Sequence, residues 1–190
     1  MQSADFNNMR RAMVDSQLRT SGVTDAWVLA AMGAMPREKF VPDALREVAY
    51  MDRSIRLADG TMLNPPVATA LMLQAADVKQ GDTVLFIGAA DSYAATLLAT
   101  RANVTAASGP EGAIAGSFAL VFIDGAVEEL PDNLVATAQE GGRIVTGLVE
   151  RGVTSLASGV VHDGKVALRH FADSEIAPLA SFERRPEFVF

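Results

Sequence analysis

The 190 residues contain no cysteine. That excludes a disulfide framework, a thiolate nucleophile and a cysteine metal site. Long apolar runs are missing as well: 49% of the chain is hydrophobic, yet no stretch approaches the length of a membrane span. The first nine residues, polar and carrying Asp5, lack the charged-then-apolar order of a secretion signal, so a cytoplasmic location is expected. Positive charge is scarce, with 16 Lys and Arg against 23 Asp and Glu and a net charge of −7. A phosphate-backbone partner needs a basic surface, and no basic run with interleaved aromatics occurs. Neither nucleic acid nor membrane is therefore expected as a partner, and solubility accounts for the acidity. There is no Ser-His-Asp set, no metal cluster and no paired-carboxylate arrangement, so no catalytic residue and no metal ligand is assigned. His162 and His170 have no metal-like spacing and read as surface or packing residues. No internal repeat or low-complexity linker is present.

What the sequence does contain is a buried-strand signature at Thr83–Ile87, uncharged and rich in β-branched and large apolar residues. It breaks at Gly88 into Ala89-Ala90-Asp91-Ser92-Tyr93, then enters a helical run from Ala94 to Ala102. Strand, small-residue turn, helix is the first unit of a nucleotide-binding α/β domain, with the ligand's place at the helix N-terminus. The turn holds one glycine, Gly88, where a full cofactor-cradling loop has two or three.

The length suits one core with a small extension. Asp5–Thr20 fits a helix with Phe6, Met9, Met13 and Gln17 on one face and Arg10, Arg11 and Arg19 largely off it. Thr24 or Asp25 caps a second helix, Ala26–Met35. Pro36 to Pro42 is too proline-bounded for a long helix, and Asp43–Tyr50 reads as another short one. Met51–Pro66 is irregular, with a turn at Asp59-Gly60, and Val67–Ala76 is helical behind Pro66. Asn103–Ala107 is a second strand and Ser108–Ser117 a loop. Phe118–Ile123 is a third strand, ending at Asp124-Gly125-Ala126 where ligands sit on a parallel sheet. Pro131–Gln139 is read as a helix and Arg143–Val149 as a core strand. Val153–His162 and Lys165–Phe171 form a hairpin around Asp163-Gly164, and Phe188 and Phe190 are expected to dock on the body.

These pieces carry a resemblance. Met13-Val14-Asp15-Ser16-Gln17-Leu18, Val28 to Met32, Pro36-Arg37-Glu38-Lys39-Phe40-Val41-Pro42 and Ala49 to Arg53 resemble the N-terminal cap of the protein-L-isoaspartate O-methyltransferases. Gly81 to Leu85, Phe122 to Ala126 followed by Pro131, and Gly141 to Val145 are similar to that family too, in the same order. The resemblance implies a Rossmann-like α/β methyltransferase fold: a helical cap and substrate-loop region over residues 1–78, and a core with a C-terminal hairpin over 79–190, packed as one unit. It also implies S-adenosylmethionine as cofactor and methyl transfer to isoaspartyl carboxylates of damaged proteins. Cofactor contacts fall on Gly88, Ala90, Asp91, Tyr93, Asp124 and Gly125, and the substrate loop on Thr61, Leu63, Asn64 and Pro65.

Several positions depart from the family pattern. The hydroxyl of the substrate loop is replaced by Leu63, the acidic residue ending the first strand by Phe86, and two loop glycines by Ala90 and Ser92. The ribose-binding carboxylate falls on Ser108, with Glu111 as a substitute. Asp91 either repels the cofactor carboxylate, pairs with its ammonium or caps the following helix. Asp124 is equally a site residue or a turn cap. Between Val104 and Phe118 there is room for a loop only, so the third strand and its helix are expected to be absent. Each lost contact to a buried polar group costs roughly 1–3 kcal/mol, and micromolar binding totals only about 8. Eroded sites with weak or lost activity are therefore expected. The alternative is a non-catalytic module that binds a protein or peptide, or a second copy of itself, through its cap or its sheet edge. The uncharged edge strand 103–107 is expected to be covered by the 108–117 loop or by another subunit.

Overall fold

The computed structural model describes residues 3–112 and 116–183; Phe188 and Phe190 lie outside them. Helix α1 (Ser3–Met13) runs on into a π-helical stretch, Val14–Leu18. Phe6 and Met9 are half-buried and Met13 fully buried, so the apolar spacing sets the inner face as read. Arg10 departs from that reading: it turns inward and bonds Tyr50 and Glu38. Helix α2 (Ala26–Ala34) is capped by Asp25, whose carboxylate accepts the Val28 amide at 3.0 Å, and it stops before Pro36. The proline-bounded stretch makes only 3₁₀ turns, Arg37–Phe40 and Asp43–Val48. Where the sequence reads as irregular, β1 (Ile55–Arg56) and β2 (Met62–Leu63) pair antiparallel around the Asp59-Gly60 turn. Strands of two residues are too short to show alternation. Helix α3 (Pro66–Ala76) follows, with proline in its first turn.

The sheet begins with β3 (Thr83–Ile87), followed by α4 (Tyr93–Ala99) and β4 (Asn103–Ala107). Then come β5 (Phe118–Val127), the short α5 (Asp132–Val135), β6 (Ala138–Glu150), β7 (Val153–His162), β8 (Lys165–Val166) and β9 (Arg169–Asp173). The order is β4-β3-β5-β6-β7, with β8 and β9 both on β7. Strands β4, β3, β5 and β6 are mutually parallel, and the rest pair antiparallel. Among the described residues β4 pairs only with β3, so the sheet ends there and the third strand is absent, as the short 104–118 connection requires.

Three further segments differ from the sequence reading. Strand β5 does not end at Asp124 but continues through Gly125 to Val127, because Ala126 and Val127 resume pairing with Gly147 and Leu148 after a register shift. The helix placed at Pro131–Gln139 is only the single turn of α5. Chain from Ala138 already pairs with Phe118, and the ladder resumes at Arg143 opposite Leu120 after an irregularity that includes Gly141, at φ 73°. The second hairpin arm divides into β8 and β9. Both hairpin turns, Arg151-Gly152 and Asp163-Gly164, take positive φ at both residues, the geometry that matches strand twist.

Strand β3 is buried on both faces. On one side Val84, Phe86, Leu120, Phe122 and Val145 join the cap helices, α3 and α4 in one apolar cluster. On the other, Leu85, Ile87, Val121, Ile123 and Ile144 are covered by Leu134 and Val135 of α5 and by Phe182. The cap side thus has helices, while the opposite side has one helical turn and a C-terminal segment. No helix among the described residues is long and apolar enough to cross a membrane.

Candidate functional site

Just past the end of β3, Gly88 lies beside Asp124, which sits within β5 where its pairing with β6 shifts register. Gly88 takes a φ of 150°, which side chains rarely adopt. A Cβ there would lie 2.7 Å from Cε1 of Phe86 and 3.4 Å from Cβ of Asp124. Phe86 is fully buried, and its ring stacks on Phe122 with centroids 5.8 Å apart. The residue in the acidic place is therefore a packing residue with nothing to offer a ribose or an ammonium group. Beyond Gly88, Ala89, Ala90 and Asp91 form an exposed turn. The helix cap is Ser92, not Asp91: its hydroxyl accepts the Ala95 amide at 3.3 Å.

Asn64 connects this edge to the cap. Its side-chain NH2 donates to Oδ1 of Asp124 at 2.9 Å and to the Asp124 carbonyl at 3.3 Å, and its Oδ1 accepts the Ala177 amide at 3.1 Å. Its own carbonyl accepts Nη2 of Arg37 at 2.5 Å. Arg37 is fully buried, donates from Nε to the Ala49 carbonyl at 2.8 Å, and lies over the Tyr93 ring at 5.0 Å. Tyr93 packs edge-on against Phe40 and is also fully buried, so it faces the cap. Among the described residues Arg37 Nη1 and the Tyr93 hydroxyl have no hydrogen-bond partner. Burial pushes the Asp124 carboxyl up to about 6, against the opposing pull of Asn64 and the Arg37 charge. Burial likewise lowers Arg37 to about 10. A carboxyl half-protonated near pH 6 can give or take a proton at this edge.

Of the sequence-predicted residues, Gly88, Asn64, Asp124 and Gly125 come together. Thr61 stands apart in an exposed turn, its hydroxyl and amide both bonded to Asp59. Leu63 is buried in the ribbon opposite Ile55, and Pro65 caps α3 with its carbonyl accepting the Thr69 amide and hydroxyl. Ser108 and Glu111 are exposed. His162 and His170 are exposed and bonded to Glu140 and Asp173, as a surface reading expects.

Two features were not singled out from sequence. One is the buried polar group of the cap: Arg10 Nε donates to the Tyr50 hydroxyl at 2.8 Å, the Tyr50 hydroxyl donates to Glu38, and Arg10 Nη2 pairs with Glu38 at 3.2 Å. The proline-flanked motif containing Arg37 and Glu38 was a usable signal for it. The other is the segment Ile176–Phe182. Ala126 donates to the Ala177 carbonyl at 2.8 Å and Leu179 donates to the Ala126 carbonyl at 2.9 Å, a single parallel bridge at the end of β5. A Cβ at Gly125 would meet Leu179 Cγ at 2.5 Å. No periodicity marks this segment.

Comparison with known proteins places this geometry. The family profile of the protein-L-isoaspartate(D-aspartate) O-methyltransferases matches residues 8–108. A protein-L-isoaspartate O-methyltransferase of Methylorubrum extorquens is 45% identical over 95 residues, half of this chain and 42% of the relative. One of Methanoculleus marisnigri is 29% identical over 195 aligned residues, covering 87% of this chain and 89% of the relative. The chain spans less than half the length of the first of the curated relatives it matches. Among solved structures, a protein described as a protein-L-isoaspartate O-methyltransferase from Plasmodium falciparum, in complex with S-adenosyl-L-homocysteine, superposes with a TM-score of 0.74 at 15% identity, covering 90% of this chain and 98% of that one. A cap rich in buried polar contacts, a parallel sheet that sets Gly88 beside Asp124, and a profile match over more than half its length make this chain a member of the protein-L-isoaspartate O-methyltransferase family.

Proposed function

We propose that the chain keeps the scaffold of an S-adenosylmethionine-dependent methyltransferase for isoaspartyl carboxylates but turns over weakly or not at all. The observation that carries this reading is the buried Phe86 ring against Gly88. It sits where the resemblance calls for an acidic side chain, and it stacks on Phe122 rather than facing a ligand. Gly125, the second glycine of the edge, is covered by Leu179 and the Ala177 carbonyl. As arranged, these residues do not fit the adenosyl cofactor, and no step is derived through it. Methyl transfer to a carboxylate needs alignment above all, so loose binding and slow turnover go together. Titration calorimetry with S-adenosylhomocysteine tests the reading, together with methyl transfer to an isoaspartyl peptide. Expected are dissociation weaker than about 100 μM, a binding energy below about 5.5 kcal/mol, and transfer near background. Micromolar binding with brisk transfer would overturn it.

A second reading, a non-catalytic module that pairs with its own copy, is supported by β4, which carries no charge and pairs on one side only among the described residues. An antiparallel pair of identical edges closes a two-fold dimer. Sedimentation of the wild type and of Thr105→Lys tests it. A dimer that dissociates when Thr105→Lys puts charge on the edge supports this reading, and a monomeric wild type removes it.

A further inference from the structure

The segment Ile176–Phe182 crosses the ligand edge of the sheet. Leu179 lies on Gly125 near the end of β5. Two residues later, Cβ and Oγ of Ser181 lie 3.6 Å from where a Cβ on Gly109 would be, just past the end of β4. Strand β3 stands between β4 and β5, so the segment bridges over the carboxyl end of β3. Phe182 then turns into the second apolar cluster beside Ile87 and Ile123. Parallel sheets take their ligands in this crevice.

The attachment is slight. The segment forms one bridge with β5, one bond from the Ile176 amide to the Thr154 hydroxyl at 3.3 Å, one from Ala177 to the Asn64 side chain, and one from the Glu128 amide to the Phe182 carbonyl at 3.3 Å. Pro178 has no amide to give. Of its side chains only Ile176 and Phe182 are buried, while Pro178, Ala180 and Ser181 are exposed. The strand beneath it is held far better, because β5 is paired along both edges. Segments with few buried contacts and few ladder bonds open well below the global unfolding free energy.

We propose that Ile176–Phe182 is a strap that closes the adenosyl edge and must lift before a nucleoside can enter. The strap and a ligand resting on Gly125 and Gly109 exclude one another, because Leu179 and Ser181 already fill those approaches. Asn64 links the strap to Asp124: its oxygen accepts from Ala177 while its NH2 donates to Asp124, so lifting the strap frees the oxygen of this amide. The nucleoside part of this proposal rests on the methyltransferase reading above; the motion itself does not.

The absence of cysteine permits a direct test on the full chain. The spacing between Gly109 and Ser181 falls within the roughly 3.5–4.5 Å that disulfides span between Cβ atoms. In the double variant Gly109→Cys, Ser181→Cys, oxidised glutathione takes the two thiol hydrogens and leaves a disulfide across the strap; dithiothreitol reverses it. Amide hydrogen exchange and S-adenosylhomocysteine calorimetry are read in both states. The Leu179 and Ala126 amides are expected to exchange at least tenfold faster than those of Ile144 and Val145 in the wild type, and to slow on oxidation. Nucleoside affinity is expected to fall at least tenfold on oxidation and recover on reduction. In Leu179→Ala, which needs no new bond, exchange quickens and affinity rises. Strap amides as protected as the β6 core, or equal nucleoside affinity in locked and free states, overturn the strap. Fast exchange that the disulfide slows, with no nucleoside bound even by Leu179→Ala, supports a moving strap and overturns only the nucleoside part of this proposal, leaving the reading of lost activity in place.

Discussion

The cap and the C-terminal half are held together by different means. The cap is tied by side chains: Arg10, Glu38 and Tyr50 form one buried group, Arg37 reaches two carbonyls, and Gln17 donates to the Tyr50 carbonyl. The C-terminal half is tied by main chain. Strands β5 to β9 are joined by ladders and two tight turns, and its histidine pairs lie on the surface. Main-chain ladders are indifferent to most side-chain changes, whereas a buried guanidinium has few acceptable replacements. The family profile covers residues 8–108, the half that holds the side-chain network, and it stops where β4 ends. The half that depends on ladders is the one where a strand and a helix are absent.

The contrast breaks most sharply at Arg37. Arg37→Met leaves the buried carbonyls of Ala49 and Asn64 without a donor, so a loss of about 4 kcal/mol is expected. Urea unfolding measures it, and a loss below about 1 kcal/mol would mean that the cap is not organised by this residue.

Asp124 comes next, and its effect depends on pH. Its folded value, pushed up to about 6, lies above the ordinary carboxylate value, so the folded chain holds this proton where the unfolded chain has released it. Stability from this group is full below about pH 4 and lost as pH rises through about 6. Asp124→Asn, which keeps an acceptor for Asn64, is expected to be more stable than wild type by about 1–2 kcal/mol at pH 8, the figure reduced for the residue's partial exposure. The gap closes toward pH 5. A gap that is constant across this range would contradict the assignment. Glu38 works in the opposite direction: burial raises it, but the bonds from Tyr50 and Arg10 outweigh this and hold it below the usual range. Its contribution is present above its unfolded value and is lost only in acid, so it does not overlap the change at Asp124.

Tyr50→Phe removes a hydroxyl that both accepts from Arg10 and donates to Glu38, and about 1–2 kcal/mol is expected. His162→Ala, which breaks an exposed pair with Glu140, should change stability by less than about 0.5 kcal/mol. If the last two variants cost the same, the distinction between the halves fails.

How much of this was legible depends on the range of the contacts. The uncharged runs at Thr83–Ile87 and Phe118–Ile123 gave their strands directly, because a strand buried on both faces admits nothing else. Asn103–Ala107 was placed residue for residue. Gly88 does stand just past its strand, but Asp124 and Gly125, read as the turn after Ile123, lie inside β5, because the chain keeps pairing as far as Val127. The helix assigned to Pro131–Gln139 was overruled because Ala138 pairs with Phe118, a tertiary preference that no local pattern carries. Arg37 meeting Tyr93, and Leu179 resting on Gly125, join residues more than fifty positions apart. Neither leaves a trace in spacing.

Asn64 has a consequence for affinity. Its NH2 is fully committed, with two contacts to Asp124, and its oxygen accepts from Ala177. Any guest carboxylate that recruits this NH2 must take it from Asp124, so the transaction is an exchange of hydrogen bonds and yields almost no net free energy. Recognition at this edge would then have to come from shape and apolar area, and polar mimicry of an isoaspartyl group would gain little at residue 64.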